Sequence, residues 1–250
     1  KLAAIGVNTA ITNKQALKIL KDTGMFIMAQ TPEICPADKA LCSIRNATAT
    51  VQSIPLICAS VFSKNLALKL DYILKKFKRK GSISITCMKQ PLGRCVGNTI
   101  EVEASMDFLK GKPSNTFIKD LIYRFAIGML LETKLEKSKE KALEKVDAVI
   151  KSRRALACFK RWAIAQGSSD GILNSKIFRP KYKYEVKAVK DGYISYKSAK
   201  EIGMISCLLG AGRLKQDDIV DPQAGIFLNK TYNEKARKGE TIGTLYSSNH

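Results

Sequence analysis

An α/β fold, in which a mixed sheet flanked by helices is followed by a smaller C-terminal α+β domain, is what three features of the 250-residue sequence predict. Short apolar runs alternate with helix-patterned stretches through the first third. Long stretches of helical periodicity fill 98–151. From Tyr182 onward the pattern becomes short and β-like. Alternating strands and helices favour layers of helix on sheet, and the length suffices for one large domain or two modest ones.

The elements follow in order. Thr12 to Asp22 predicts a helix, with Ala16, Leu17, Ile19 and Leu20 on its apolar face and Gly24 ending it. Met25 to Ala29 predicts a strand, and Gln30 to Pro36 a polar loop. Ser53 is placed to cap a helix and Pro55 suits its first turn. That helix carries Leu56, Ile57, Ser60, Val61 and Lys64 and extends to about Leu70. Ser82 to Thr86 alternates as a strand does. Asn98 to Leu109, Thr116 to Leu131 and Lys134 to Lys151 predict helices, and the Lys/Glu stretch Glu136 to Lys145 a solvated face. Beyond the linker-like segment 176–182, strands are expected at Tyr184 to Val189, Gly192 to Tyr196, Gly225 to Leu228 and Thr241 to Tyr246, with a helix at Ser198 to Leu209. The expected division is therefore 1–176 as the α/β domain and 182–250 as an incomplete α+β domain.

Composition excludes several classes. No apolar run reaches the ~18 residues of a membrane span. Lys1 to Gly6 lacks the following apolar stretch of a signal peptide, and the absence of Met points to a processed or truncated start. Seven cysteines, an odd number without a CxxC pair, argue against a disulfide framework or zinc site and for buried free thiols in a reducing, cytoplasmic setting. The one histidine, His250, leaves no Ser-His-Asp triad and no multi-histidine metal site. The 43 basic residues outnumber 22 acidic ones and give +21, which attracts polyanions. The lysines are nevertheless dispersed, and the densest run, Lys75 to Lys80, is interleaved only by Phe77. A solvated basic surface is thus favoured over a nucleic-acid interface.

Four ordered motifs carry a family likeness. The first is Pro36-Ala37-Asp38-Lys39-Ala40-Leu41 with Arg45-Asn46-Ala47-Thr48-Ala49-Thr50-Val51-Gln52-Ser53-Ile54-Pro55-Leu56-Ile57. The second is Gln90 to Asn98 running into Ile100-Glu101-Val102. The third is Ala165-Gln166-Gly167. The fourth is Leu209-Gly210-Ala211-Gly212-Arg213 with Asp218, Asp221 and Ala224-Gly225-Ile226. Spanning nearly the whole chain, they resemble the thymidine and pyrimidine-nucleoside phosphorylases.

The resemblance implies a pentosyltransferase performing reversible phosphorolysis, in which a pyrimidine nucleoside and phosphate give free base and pentose 1-phosphate. It implies that Arg45, Ser60 and Lys64 bind the pyrimidine. Two cations and a hydroxyl suit a base with two carbonyls and a ring N–H, and donors there would stabilise the departing anion. A helix would set Ser60 and Lys64 on one face. On spacing alone these residues read sooner as surface charges and a packing serine; the surrounding motif gives them the role. No cofactor is implied, but Leu92 and Cys95 fall where the family lends backbone carbonyls to a monovalent cation. The resemblance implies a homodimer formed largely by a helical domain that this sequence does not show, which leaves the oligomeric state open.

The departures are specific. Cys42 stands for an aromatic, Asn46 and Gln52 for acids, Ala104 for the cation-site glutamate beside Glu103, and Arg153 for a glycine. The family's phosphate loop and catalytic histidine precede the motif that Lys1-Leu2 resembles, and a further segment is absent after Leu74, bridged by Lys75 to Lys80. The chain alone is therefore expected to be inactive, being either part of a working enzyme or a decayed member. A non-catalytic protein binding RNA or another polyanion is the alternative. A phosphoribosyltransferase fits the architecture but not the Arg45 to Lys64 segment.

Overall fold

The computed structural model describes residues 1–28, 64–77, 90–112, 116–196, 198–215 and 217–248. It divides the chain into two units. One comprises Lys1–Asn8, Leu17–Phe26 and Cys87–His250, and the other Thr9–Ala16 and Ile27–Thr86.

The first helix, α1 (Asn13–Thr23), begins at a capping box. Gln15 N donates to Thr12 Oγ1 at 3.3 Å, while Thr12 N donates back to Gln15 Oε1 at 2.8 Å. The expected strand at Met25 to Ala29 does not form over residues 25–28. The Thr23 hydroxyl lies 2.8 Å from both the Ile19 and Met25 carbonyls, folding the chain locally at the helix end. Helix α2 (Lys64–Lys76) runs past Leu70 and is closed by Lys75 and Lys76, cations placed favourably at a helix C-terminus. The loop at 30–36, the helix start at Ser53 and the strand at 82–86 lie outside the described residues.

In the larger unit, helices α3 (Thr99–Leu109), α4 (Thr116–Glu132), α5 (Lys139–Lys151), α6 (Arg154–Ala165), α7 (Asp170–Asn174) and α8 (Ala199–Ser206) accompany the strands. α5 starts later than Lys134, because Lys134 takes a positive φ of 59° and Ser138 caps the Lys141 amide. Glu136 stands before the helix and accepts from Lys145 Nζ at 2.6 Å. Trp162, 1% exposed, anchors a core with Ile5, Met106 and Leu173.

Four strands, β1 (Cys95–Gly97), β2 (Tyr182–Lys187), β4 (Gly225–Phe227) and β6 (Thr241–Ser247), form a sheet ordered β1-β4-β6-β2. β3 (Gly192–Tyr193) and β5 (Lys235–Ala236) form a second pair. Every described pair is antiparallel, and the strand expected at 82–86 in a mixed sheet lies outside the described residues. The α/β character stands. The helix expected at 198–209 gives way after Ser206 to a π-turn over Cys207–Ala211, where Gly210 takes φ 102°.

The boundary expected at 176–182 lies inside the larger unit, and the sheet draws β1 from one side of it and the other strands from the opposite side. Nor is that segment a free linker. Glu103 Oε2 accepts from Ile177 N at 3.1 Å and Phe178 N at 2.8 Å, and Gln223 holds Ile177 O and Arg179 N. Glu103→Ala should therefore cost about 2 kcal/mol and Glu103→Gln less, since an amide oxygen still accepts. Urea unfolding midpoints would show this, and equal midpoints for all three proteins would mean that water replaces the carboxylate.

Arg153, at the residue that stands for a glycine, is exposed and adopts φ 58°, ψ 15° ahead of α6. The left-handed conformation costs an L-residue about 1–2 kcal/mol, of which glycine's extra freedom when unfolded takes back about 0.4–1. Arg153→Gly should raise stability by about 0.5–1 kcal/mol in thermal melts.

Candidate functional site

Two of the expected pyrimidine contacts, Arg45 and Ser60, lie outside the described residues. Lys64 is the first residue of α2, in the smaller unit, and its side chain is likewise outside them. The facing of Ser60 and Lys64 therefore remains an expectation from the sequence.

Every residue of the second and fourth motifs is among those described. β1 pairs with β4 so that Cys95 faces Phe227, Val96 faces Ile226 and Gly97 faces Gly225. The backbones meet closely. A Cβ on Gly97 would stand 2.7 Å from Ala224 O, and one on Gly225 2.8 Å from Val96 O. Glycine in a strand marks such an approach. Around it, Asn98 Nδ2 donates to Ala211 O at 2.7 Å, Thr99 N to Pro222 O at 3.1 Å, and Ser206 Oγ to Val96 O at 3.3 Å. The two motifs, far apart in sequence, are thus the two sides of one contact.

Leu92 is half-buried in the turn before β1. Arg94 O accepts from Leu228 N at 2.7 Å, so the ladder's alternation turns the Cys95 carbonyl away from β4. The Cys95 thiol is pushed up to about 12, first by burial and then by Glu101, Glu103 and Asp107. It is neutral at physiological pH and unsuited to nucleophilic attack. Cys95, Cys158 and Cys207 are free and only half-buried, less enclosed than expected.

The carboxylates of α3 are already engaged. Glu101 accepts from Gly97 N at 2.9 Å and pairs with Lys1. Glu103 holds the amides at 177 and 178. Asp107 pairs with Lys110 and Lys112. Ala104, where the family's glutamate is expected, is exposed and supplies no ligand side chain. Among the described residues no trio of His, Cys, Asp and Glu is gathered for a metal.

Other motif residues prove to be clamps that the sequence did not disclose. Arg94 donates to Leu228 O at 3.1 Å and Asn229 O at 2.6 Å, and pairs with Glu234 at 2.7 Å. Partial burial raises the Glu234 carboxyl, but the Thr231 amide and Arg94 outweigh it and hold it below the ordinary range. Gln166, 2% exposed, accepts from Trp162 Nε1 at 2.6 Å and donates to Asn8 O at 2.8 Å. Asp221 accepts from Gln223 N and Ser248 N. An amide or acid within an apolar stretch was the only signal of these roles.

Residues 1–87 match the family described as "Glycosyl transferase family, a/b domain", and residues 193–250 match "Pyrimidine nucleoside phosphorylase C-terminal domain". The chain is 41% identical to a thymidine phosphorylase of Mycoplasmoides pirum, over 99% of this chain and 66% of that protein. It is 36% identical to the thymidine phosphorylase of Metamycoplasma hominis, over 84% of this chain and 88% of that one. Against the pyrimidine-nucleoside phosphorylase of Bacillus subtilis (strain 168), identity is 32% over 99% of this chain and 64% of the relative. The chain spans just under two thirds of the length of the Mycoplasmoides pirum and Bacillus subtilis relatives. Matched at both ends by the family's own domains and over nearly all its length by its members, the chain belongs to the thymidine and pyrimidine-nucleoside phosphorylase family.

Proposed function

We propose that this chain carries the pyrimidine-binding half of a nucleoside phosphorylase site and that, joined to a phosphate-binding loop, it serves reversible phosphorolysis of a pyrimidine nucleoside. The observation that carries this reading is the relationship to named phosphorylases across 99% of the chain. The Arg45 to Lys64 motif lies within the matched a/b domain.

The chemistry concerns charge. As the glycosidic bond breaks, the sugar becomes oxocarbenium-like and the departing pyrimidine gains negative charge. In this proposal Arg45 and Lys64 supply cationic donors to the base carbonyls, and Ser60 adds a hydroxyl. Donors fixed before the reaction stabilise the developing anion most strongly. Phosphate attacks the sugar carbon, the carbon–nitrogen bond breaks, and its electron pair leaves with the base. The base takes up a proton to complete the balance.

A structural monovalent cation at the Leu92 and Cys95 carbonyls belongs to the same proposal. It is supported by the Cys95 carbonyl, which is turned away from β4. A homodimer and a cytoplasmic site of action are proposed with it. The free thiols are consistent with a reducing compartment, and no described helix is long and apolar enough to cross a membrane.

A chain supplied with the phosphate loop should release thymine or uracil from a nucleoside only when phosphate is present, read by chromatography of the free base. The chain alone should not turn over, because half of a two-substrate site would be unfilled. Equal release without phosphate would replace phosphorolysis by hydrolysis.

In that same active form, Arg45→Ala and Lys64→Ala should each lower turnover about a hundredfold to a thousandfold, which corresponds to about 3–4 kcal/mol of transition-state stabilisation. Lys141→Ala, on the exposed face of α5, should change stability by at most about 0.5 kcal/mol and leave turnover unchanged. Similar turnover in all three would remove Arg45 and Lys64 from the site. A melting temperature that collapses only in Arg45→Ala would make Arg45 structural.

A further inference from the structure

The groove between α4 and α5 has no part in the proposed phosphorolysis. Tyr123, in the first half of α4, donates to Asp147 Oδ1 near the end of α5 at 2.7 Å, so the two helices run antiparallel. The space beside them measures about 540 Å³, within the ~300–1,000 Å³ of small-molecule sites. Ile127, Gly128 and Leu131 supply an apolar strip, and Arg124 and Lys139 stand at its border.

Charge and shape both point to a ligand. Asp147 is engaged by the Tyr123 hydroxyl and lies 3.9 Å from Lys151 Nζ. Lys119 Nζ sits 5.3 Å from the Tyr123 ring centroid. Among the described residues neither Arg124 nor Lys139 forms an ion pair. Asp120 and Asp147 both line the groove, so two carboxylates stand beside three cations, Lys119, Arg124 and Lys139. Gly128 is the second clue. Glycine weakens a helix interior relative to alanine, yet a Cβ here would meet nothing within 4 Å. Packing does not require glycine at this position. Its consequence is a groove floor left low and open.

We propose that this groove binds a small amphipathic anion. An apolar or aromatic body would lie on Ile127, Gly128 and Leu131, and a sulfonate, carboxylate or phosphate head would meet Arg124 and Lys139. Guanidinium and ammonium donors suit such heads, and a ligand with both parts would use both surfaces of the groove.

The test uses the full chain with 8-anilinonaphthalene-1-sulfonate as the probe. Fluorescence titration should show saturable binding at one site per chain. Octanoate should displace the probe, and inorganic phosphate, which has no body, should not do so at the same concentration. Gly128→Leu should raise the melting temperature, since leucine favours the helix and projects into open space. The same change fills the floor and should weaken the probe at least about tenfold. Arg124→Ala should weaken it about tenfold by removing a charged donor, while Lys141→Ala leaves it unchanged. Absence of saturable binding, or undiminished binding in a folded Gly128→Leu, overturns the proposal. If Gly128→Leu does not fold, unchanged affinity in Arg124→Ala overturns it alone.

Discussion

The close pairing of β1 with β4 is the constraint on which the larger unit depends. Any side chain at Gly97 or Gly225 would drive a Cβ into a carbonyl oxygen of the opposite strand. With both positions bare, the strands approach, Ile100 covers them, and α3 starts directly from the strand end. Thr99 N then reaches Pro222 O and Asn98 reaches Ala211 O. The π-turn and the loop ahead of β4 are thereby tied to the start of α3. The same helix carries Glu103 to the amides at 177 and 178. One sterically demanding contact thus connects segments more than a hundred residues apart, and loop closure over such a span is offset only by several contacts formed together.

This arrangement explains why motifs that read as a family signature do not all read as chemistry. Gln166 is buried between Trp162 and the backbone of Asn8. Asp221 is 6% exposed and receives two amides. Arg94 closes the turn at Leu228 and Asn229. Hydrogen-bonded polar groups of this kind carry a penalty when one partner is lost, so they hold the local geometry. The proposed chemistry instead rests on Arg45, Ser60 and Lys64, residues with no local feature that distinguishes them from surface charges.

Helices were the most legible part of the sequence, because periodicity and caps act locally. The Thr12/Gln15 box, the Ser198 cap and the span 116–132 are visible in neighbouring residues alone. The start of α5 was missed because a turn at Lys134, at positive φ, interrupts a stretch rich in helix-forming residues. The strand at Cys95 to Gly97 was hidden for a different reason. It is three residues long and exists only through its partner at 225–227. The expected strand at Met25 had apolar residues but no described partner, and strand propensity without a partner makes no ladder. Of the candidate site, the family could be read from the motifs, and Arg45, Ser60 and Lys64 are the binding residues that the resemblance implies. Their geometry could not, since it depends on how non-neighbouring segments meet.

The basic balance of the chain has a structural counterpart in how its acids are used. Glu101, Glu103, Asp191, Asp218, Asp221, Glu234 and Glu240 all accept backbone amides. A carboxylate serves there because it accepts from several N–H groups at once, which lysine cannot do. These acids are therefore required by turns and helix starts whatever the surface charge. Lysines carry no such obligation, and in the ion pairs Lys75–Asp71, Lys112–Asp107 and Lys183–Glu185 they are the more exposed partners. The fold fixes where negative charge must remain and leaves the outer surface free to become basic. Among the described residues, the basic excess of this +21 chain is thus set largely independently of the contacts that determine the structure.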